Sequence, residues 1–230
     1  MTARPRLRID FVSDIACPWC AIGLAGLERA LENLRDELEA DIYLQPFELN
    51  PDTPPEGVDA DEHLKAKYSM GEARLAATRA RLRERAAAVG FAYNVGPGSR
   101  VWNTFAAHRL LHWATLQDPH AALALKRALF RAFFSDNENV SDPAVLVRCA
   151  EQAGLDTIAA RAALVAGDYA DEVRGQERHY QRAGIHSVPA TLVNRTFLIS
   201  GGQPPDVFES ALRKIASEAA WDEAGGKQPE

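Results

Sequence analysis

At 230 residues the chain is long enough to bury a substantial core, as one large domain or as a domain carrying an insertion. Hydrophobic residues make up 47% and charged residues 25%, an ordinary balance for a globular protein, and no apolar run reaches membrane-spanning length. The net charge of −6 argues against nucleic acid as a partner, because phosphate binding needs clustered Lys and Arg.

The basic start, Met1 to Arg6, is followed by no apolar core of a signal peptide, since Asp10 and Asp14 interrupt the segment. The expected location is therefore cytoplasmic, where structural disulfides are rare. Leu7–Val12 reads as a strand and Ser13-Asp14 as a turn. Cys17-Pro18-Trp19-Cys20 then opens a stretch with helical spacing: Ile22, Leu24, Leu27, Leu31, Leu34 and Leu38. Residues 40–47 read as a second strand, which completes a β-α-β unit. The proline-rich segment 50–55 marks a boundary. Helices are then predicted over 71–89 with Gly90 as C-terminal cap, from Asn103 through Trp113, over 119–134, over 142–153 with Asp142 capping and Pro143 first, and from Asp168 to Gly184. Two short strands, 190–193 and 196–199, flank a tight turn at Asn194-Arg195, and an amphipathic helix follows from Pro205 through Phe208, Leu212 and Ile215. The organisation read from this pattern is one unit from 1–51 and 185–220, a helical insertion over 52–184, and a frayed tail over 221–230.

The most informative feature is the C-x-x-C motif between a strand and a helix. Free N–H groups and the helix dipole favour negative charge at a first helical turn, so a cysteine there is held partly as thiolate, its reactive form. Three residues on, a second sulfur lies on the same face within disulfide reach. Two of the three cysteines are thus a redox pair, and Cys149, at helical spacing from Val145 and Leu146, reads as a small buried hydrophobe. A zinc site would need two more ligands, and no second C-x-x-C or H-x₃-H is placed to supply them, so no metal is expected. His108 and His112 share a helix face but lack the glutamate of a zinc protease motif. They read as packed or surface residues. Asp14 reads as a solvated turn residue. The Arg74, Arg79, Arg81, Arg83, Arg85 run reads as the solvated face of an amphipathic helix.

β-α-β, a helical insertion and β-β-α form the layout of a thioredoxin fold of the α/β class with a large all-helical insertion, DsbA-like. Several segments resemble the FrnE-like branch of the DsbA family: residues 14–20 (Asp-Ile-Ala-Cys-Pro-Trp-Cys), 46–51 (Pro-Phe-Glu-Leu-Asn-Pro), 103–111 (Asn-Thr-Phe-Ala-Ala-His-Arg-Leu-Leu) and 200–205 (Ser-Gly-Gly-Gln-Pro-Pro). That family is related to glutathione-using hydroxychromene carboxylate isomerases and kappa-class glutathione transferases, which carry serine where Cys17 stands. The resemblance implies a thiol–disulfide oxidoreductase in which Cys17 is the exposed nucleophile and Cys20 resolves the mixed disulfide. Pro18 suits the first turn and Trp19 occupies the position that tunes the pair. The implied reduction potential lies between those of thioredoxin, roughly −270 mV, and DsbA, roughly −120 mV. It further implies a cis bond at Val188-Pro189, with the Val188 backbone free to pair with an extended peptide or glutathione, and an apolar rim of Trp19, Val188, Pro189 and Trp102. His186 would stabilise the Cys17 thiolate from that loop. Asn50, Ser200 and Gly201 would touch glutathione, or serve only as turn residues. No bound cofactor is implied; glutathione or a partner thiol protein would supply reducing equivalents. The partner would be a protein or small-molecule disulfide or thiol, with no nucleic acid and no membrane, and related folds are often homodimers. The alternative within the same fold is a glutathione-dependent isomerase or transferase acting on a small aromatic or polyketide-like molecule.

Overall fold

The computed structural model describes residues 4–54 and 56–223, with side chains through Glu218. Strands β1 (Arg6–Ser13) and β2 (Glu39–Pro46) run parallel, from Arg6 opposite Glu39 to Ser13 opposite Pro46. Parallel neighbours need a crossover, and α1 (Pro18–Asn33) supplies it, burying Cys20, Leu24, Leu27 and Ala30. Leu7, Ile9 and Phe11 alternate with Asp10 and Val12 along β1, and all five are buried, so the strand is covered on both faces.

The segment between β2 and the next strand of this sheet is mostly helical: α2 (Ala60–Tyr68), α3 (Glu72–Ala88), α4 (Phe105–Gln117), α5 (Pro119–Phe134), α6 (Pro143–Gln152), α7 (Thr157–Ala166) and α8 (Ala170–Arg182). It is not entirely so. Strand β3 (Val58–Asp59) pairs antiparallel with β4 (Arg100–Val101) in a two-residue ribbon that the composition did not announce. Helices α2 and α7 fall within the expected helical insertion but were not marked out individually. The polar helix begins at Ala170 rather than Asp168, because Tyr169 takes a left-handed conformation at φ 64°. The arginine run of α3 is not merely a solvated face. Arg79 falls on the buried stripe Leu75, Arg79, Leu82, Ala86 and pairs with Asp61, while Arg83 donates to the Val95 carbonyl and Arg85 to that of Gly202.

Strands β5 (Ala190–Val193) and β6 (Phe197–Ser200) complete the main sheet in the order β2-β1-β5-β6, with β5 antiparallel to both neighbours. The turn between them has Asn194 and Arg195 at φ 51° and 60°, the left-handed pair of a type I′ hairpin. Asn194 also grips β1: its N–H donates to the Arg8 carbonyl at 2.8 Å, and its Oδ1 accepts from the Arg8 N–H at 3.0 Å. Helix α9 (Pro205–Glu223) packs on α1 through Phe208 and Leu212. It runs through residues 221–223 of the expected tail, and 224–230 lie outside the described residues.

Candidate active site at the start of helix α1

Cys17 is the N-terminal cap of α1, and its carbonyl receives the first helical N–H groups, those of Cys20 and Ala21. Pro18 sits at the first helical position, where no donor is required. Cys17 and Cys20 approach to 3.3 Å, and both are free thiols. Contrary to expectation, Cys17 is not exposed: it is only 4% accessible, and Cys20 is fully buried. Burial, together with the neighbouring Cys17 sulfur, pushes the Cys20 thiol well above its ordinary value, while the Asp14 backbone and the charge of Lys126 act the other way.

The loop before β5 closes one side of the pair. Its Val188-Pro189 bond is cis, and the Val188 carbonyl accepts from the Cys17 thiol at 3.6 Å. That carbonyl is therefore engaged while Cys17 is reduced, rather than free. The end of β6 holds this loop: the Gly201 N–H donates to the Pro189 carbonyl at 2.8 Å. Gly202 packs so tightly on the motif that a Cβ there would stand 2.6 Å from the Trp19 carbonyl oxygen. The Ser200-Gly201-Gly202 segment thus clasps the cis-proline loop to α1, and at Gly202 the clasp leaves no room for a side chain. Trp19 is half-buried with the Arg81 guanidinium 5.5 Å from its ring centre. Tyr68, at the end of α2, lies near enough for Cys17 to act on its phenol, which burial and that sulfur hold above the ordinary value.

The other side is polar, and sequence reasoning missed it. Asp14 is not a solvated turn residue: it is completely buried. Its Oδ2 accepts from the Leu49 N–H at 2.7 Å; its Oδ1 accepts from Thr104 Oγ1 at 2.8 Å, with His108 Nε2 at 3.4 Å. Burial alone would raise this carboxyl, but the His108, Leu49 and Thr104 bonds outweigh it and hold the group below its usual value. Lys126, from α5, is 1% exposed, and burial pushes its ammonium down to about 8. Helical spacing from Ala122, Leu129 and Phe130 puts Lys126 on the buried stripe of α5, a signal the sequence reading passed over. Asp14 could have been found from its place three residues before a motif whose cysteines are buried.

Among the described residues, no hydrogen bond ties the other expected residues to the sulfurs. His186 is exposed on the loop and no hydrogen bond ties it to the pair; the histidine that faces the centre is His108. Trp102 packs on Gly57, with Arg100 over its ring at 5.4 Å, at the β3–β4 ribbon. Asn50 accepts from Lys67 Nζ at 2.6 Å and has His63 Nε2 at 3.0 Å, beside a cavity of about 490 Å³. His112 stacks near Tyr169, and Cys149 is buried on α6 with its thiol raised to about 11 by burial.

The family model of the DSBA-like thioredoxin domain matches residues 8–213. YwbO, an uncharacterized protein of Bacillus subtilis strain 168, is 28% identical over 207 residues, which span 90% of this chain and 96% of the relative. A probable DsbA oxidoreductase from Streptomyces coelicolor has a crystal structure similar at TM-score 0.81 and 36% identity, over 97% of this chain and 92% of that one. The cytosolic disulfide reductase DsbM from Pseudomonas aeruginosa shares the fold at TM-score 0.63 and 17% identity, over 90% and 98%. The chain belongs to the DSBA-like thioredoxin domain family.

Proposed function

We propose that this protein is a thiol–disulfide oxidoreductase in which Cys17 and Cys20 form the exchanging pair. The observation that carries this reading is the approach of two free thiols to 3.3 Å at a helix N-terminus, with the cis-proline loop against the first of them. Cys17, as thiolate, attacks one sulfur of a substrate disulfide. A Cys17–substrate disulfide forms, and the other substrate sulfur leaves as thiolate with the bonding electron pair. Cys20 then loses its proton and attacks Cys17 Sγ, which releases the second substrate thiolate and leaves a Cys17–Cys20 disulfide. Two electrons have passed from the pair to the substrate; the reverse sequence oxidises a dithiol. The dipole at the start of α1 favours the anionic nucleophile, and the cis-proline loop presents backbone beside it for an extended substrate.

Glutathione, or the dithiol of a partner protein, is the proposed source of reducing equivalents. The membership in a family whose S. coelicolor member is named a probable oxidoreductase supports the reading, as does a structure of DsbM solved with GSH. Cytoplasmic residence fits the same reading, since a reducing compartment recycles the pair.

The test is a glutathione redox titration with thiol trapping and mass readout. The expected result is a two-electron transition to an intramolecular disulfide, while Cys20→Ser accumulates glutathione on Cys17. A wild-type protein that carries only a glutathione adduct across all potentials would sink the proposal and favour a glutathione-dependent isomerase or transferase.

A further inference from the structure

The exchange steps above leave the buried charge of Lys126 unused. Among the described residues the Lys126 ammonium forms no salt bridge; it lies 4.9 Å from the Phe130 ring centre, and the charges acting on it are those of Cys20, Asp14 and Cys17. An isolated buried cation is unfavourable for folding, so nothing in packing alone explains a lysine at this point of α5. It also borders a cavity of about 260 Å³, whose polar lining includes Gln45 from β2, His108 and His112 from α4, and Gln176 from α8. This cavity lies on the β2 side of β1, whereas the cis-proline loop leads into β5 on its other side.

We propose that Lys126 is a positioning residue for disulfide exchange: its ammonium supplies the counter-charge that lets the buried Cys20 thiol ionise, and the cavity joins that ammonium to water from behind. The inference rests on the oxidoreductase reading. In the resolving step the Cys20 proton passes to solvent and Lys126 stays protonated. The Cys17–Cys20 bond forms, the Cys17–substrate bond breaks, and the substrate leaves as thiolate with the electron pair. The other titratable groups facing this pair are Cys17 and Asp14 from the β1–α1 junction, His108 and His112 from α4, Arg8 from β1 and Tyr43 from β2. Arg8 is already paired with Asp10, at 2.7 Å. That leaves Lys126, protonated at pH 7 with its ammonium pushed down to about 8, as the cation among them without a salt-bridge partner among the described residues.

The probe is dithiobis(nitrobenzoate). Cys17 releases one coloured thiolate from it, and attack by Cys20 on the resulting mixed disulfide releases the second. In Lys126→Met the second phase should begin one to two pH units higher, which is a slowing of about 10- to 100-fold at pH 7. The Tm of the reduced protein should rise, because a lone buried charge has gone. An unchanged pH profile, a lower Tm or a variant that fails to fold would each overturn the inference and make Lys126 a structural residue. If the wild type itself shows no second phase, the oxidoreductase reading fails, and the Lys126 inference is then read separately. For that, Cys20 alkylation is followed against pH in Cys17→Ser with and without Lys126→Met, where the same upward shift is expected and its absence refutes the role.

Discussion

The two sides of the Cys17–Cys20 pair are made of different materials. The outer side is backbone: the Val188 carbonyl on the Cys17 thiol, the Gly201 N–H on the Pro189 carbonyl, and Gly202 against the Trp19 carbonyl. The inner side is side-chain charge: Asp14 with Thr104 and His108, and Lys126, which has no salt bridge among the described residues. Backbone contacts set shape and barely titrate. Buried charges set the proton level at which a neighbouring thiol reacts. Damage to the outer side should therefore change rates uniformly with pH, and damage to the inner side should move pH profiles.

The largest expected effect is at Asp14. Its folded-state value lies below the unfolded one, so its stabilisation is present above an unfolded pKa near 4 and is lost as pH falls through the folded value. Asp14→Asn places an N–H₂ group among donors and should cost about 2–4 kcal/mol at pH 7 in urea unfolding. It should also remove part of the acid limb of the stability curve; an unchanged limb would assign acid sensitivity to another carboxyl. Next comes Gly202→Ala, whose added carbon meets the Trp19 carbonyl at 2.6 Å. About 1–3 kcal/mol should be lost, equally at pH 5 and pH 9, and thiol exchange should slow at both. A pH-dependent loss there would blur the contrast between the two sides.

The smallest effect lies further out, at Glu48. Burial raises this carboxyl to about 7 against the pull of Arg174, which it shares with Glu177. Its folded-state value exceeds the unfolded one, so the folded state holds the proton more tightly and stability declines as pH climbs from about 4 to 7. Glu48→Gln should be neutral at pH 4 and should gain about 1 kcal/mol above pH 7 in the same measurement. A variant less stable at pH 8 would show that the charged pair with Arg174 outweighs the burial.

The sheet and the motif were legible because their signals are local. Alternation marks β1, a helical stripe marks α1, and Cys17 and Cys20 sit at the junction. Helices without a stripe were not legible. Helix α2 buries only Ala60, and α7 buries Ala160 and Ala163 while leaving Ile158 and Val165 81% exposed, the reverse of the pattern that announces a helix. The inner side was hidden for another reason. Asp14, Thr104, His108 and Lys126 come from three separate stretches of chain, and each alone looks like a turn or surface residue until the fold removes its water. Arg79 was misread in the same way, as a surface charge on a helix whose inward position it in fact fills.

Asn194 stands at the far end of β5 from the sulfurs, yet it fixes where they meet the loop. Its two bonds to Arg8 lock β5 against β1 in one phase. A slip by a single residue would carry Pro189 about 3.3 Å along the sheet and turn every β5 side chain to the opposite face. The hairpin turn is thus a length standard: five residues of chain measured from Asn194 deliver the cis-proline to Cys17, and the reach of the active site is set at the end of the molecule that takes no part in its chemistry.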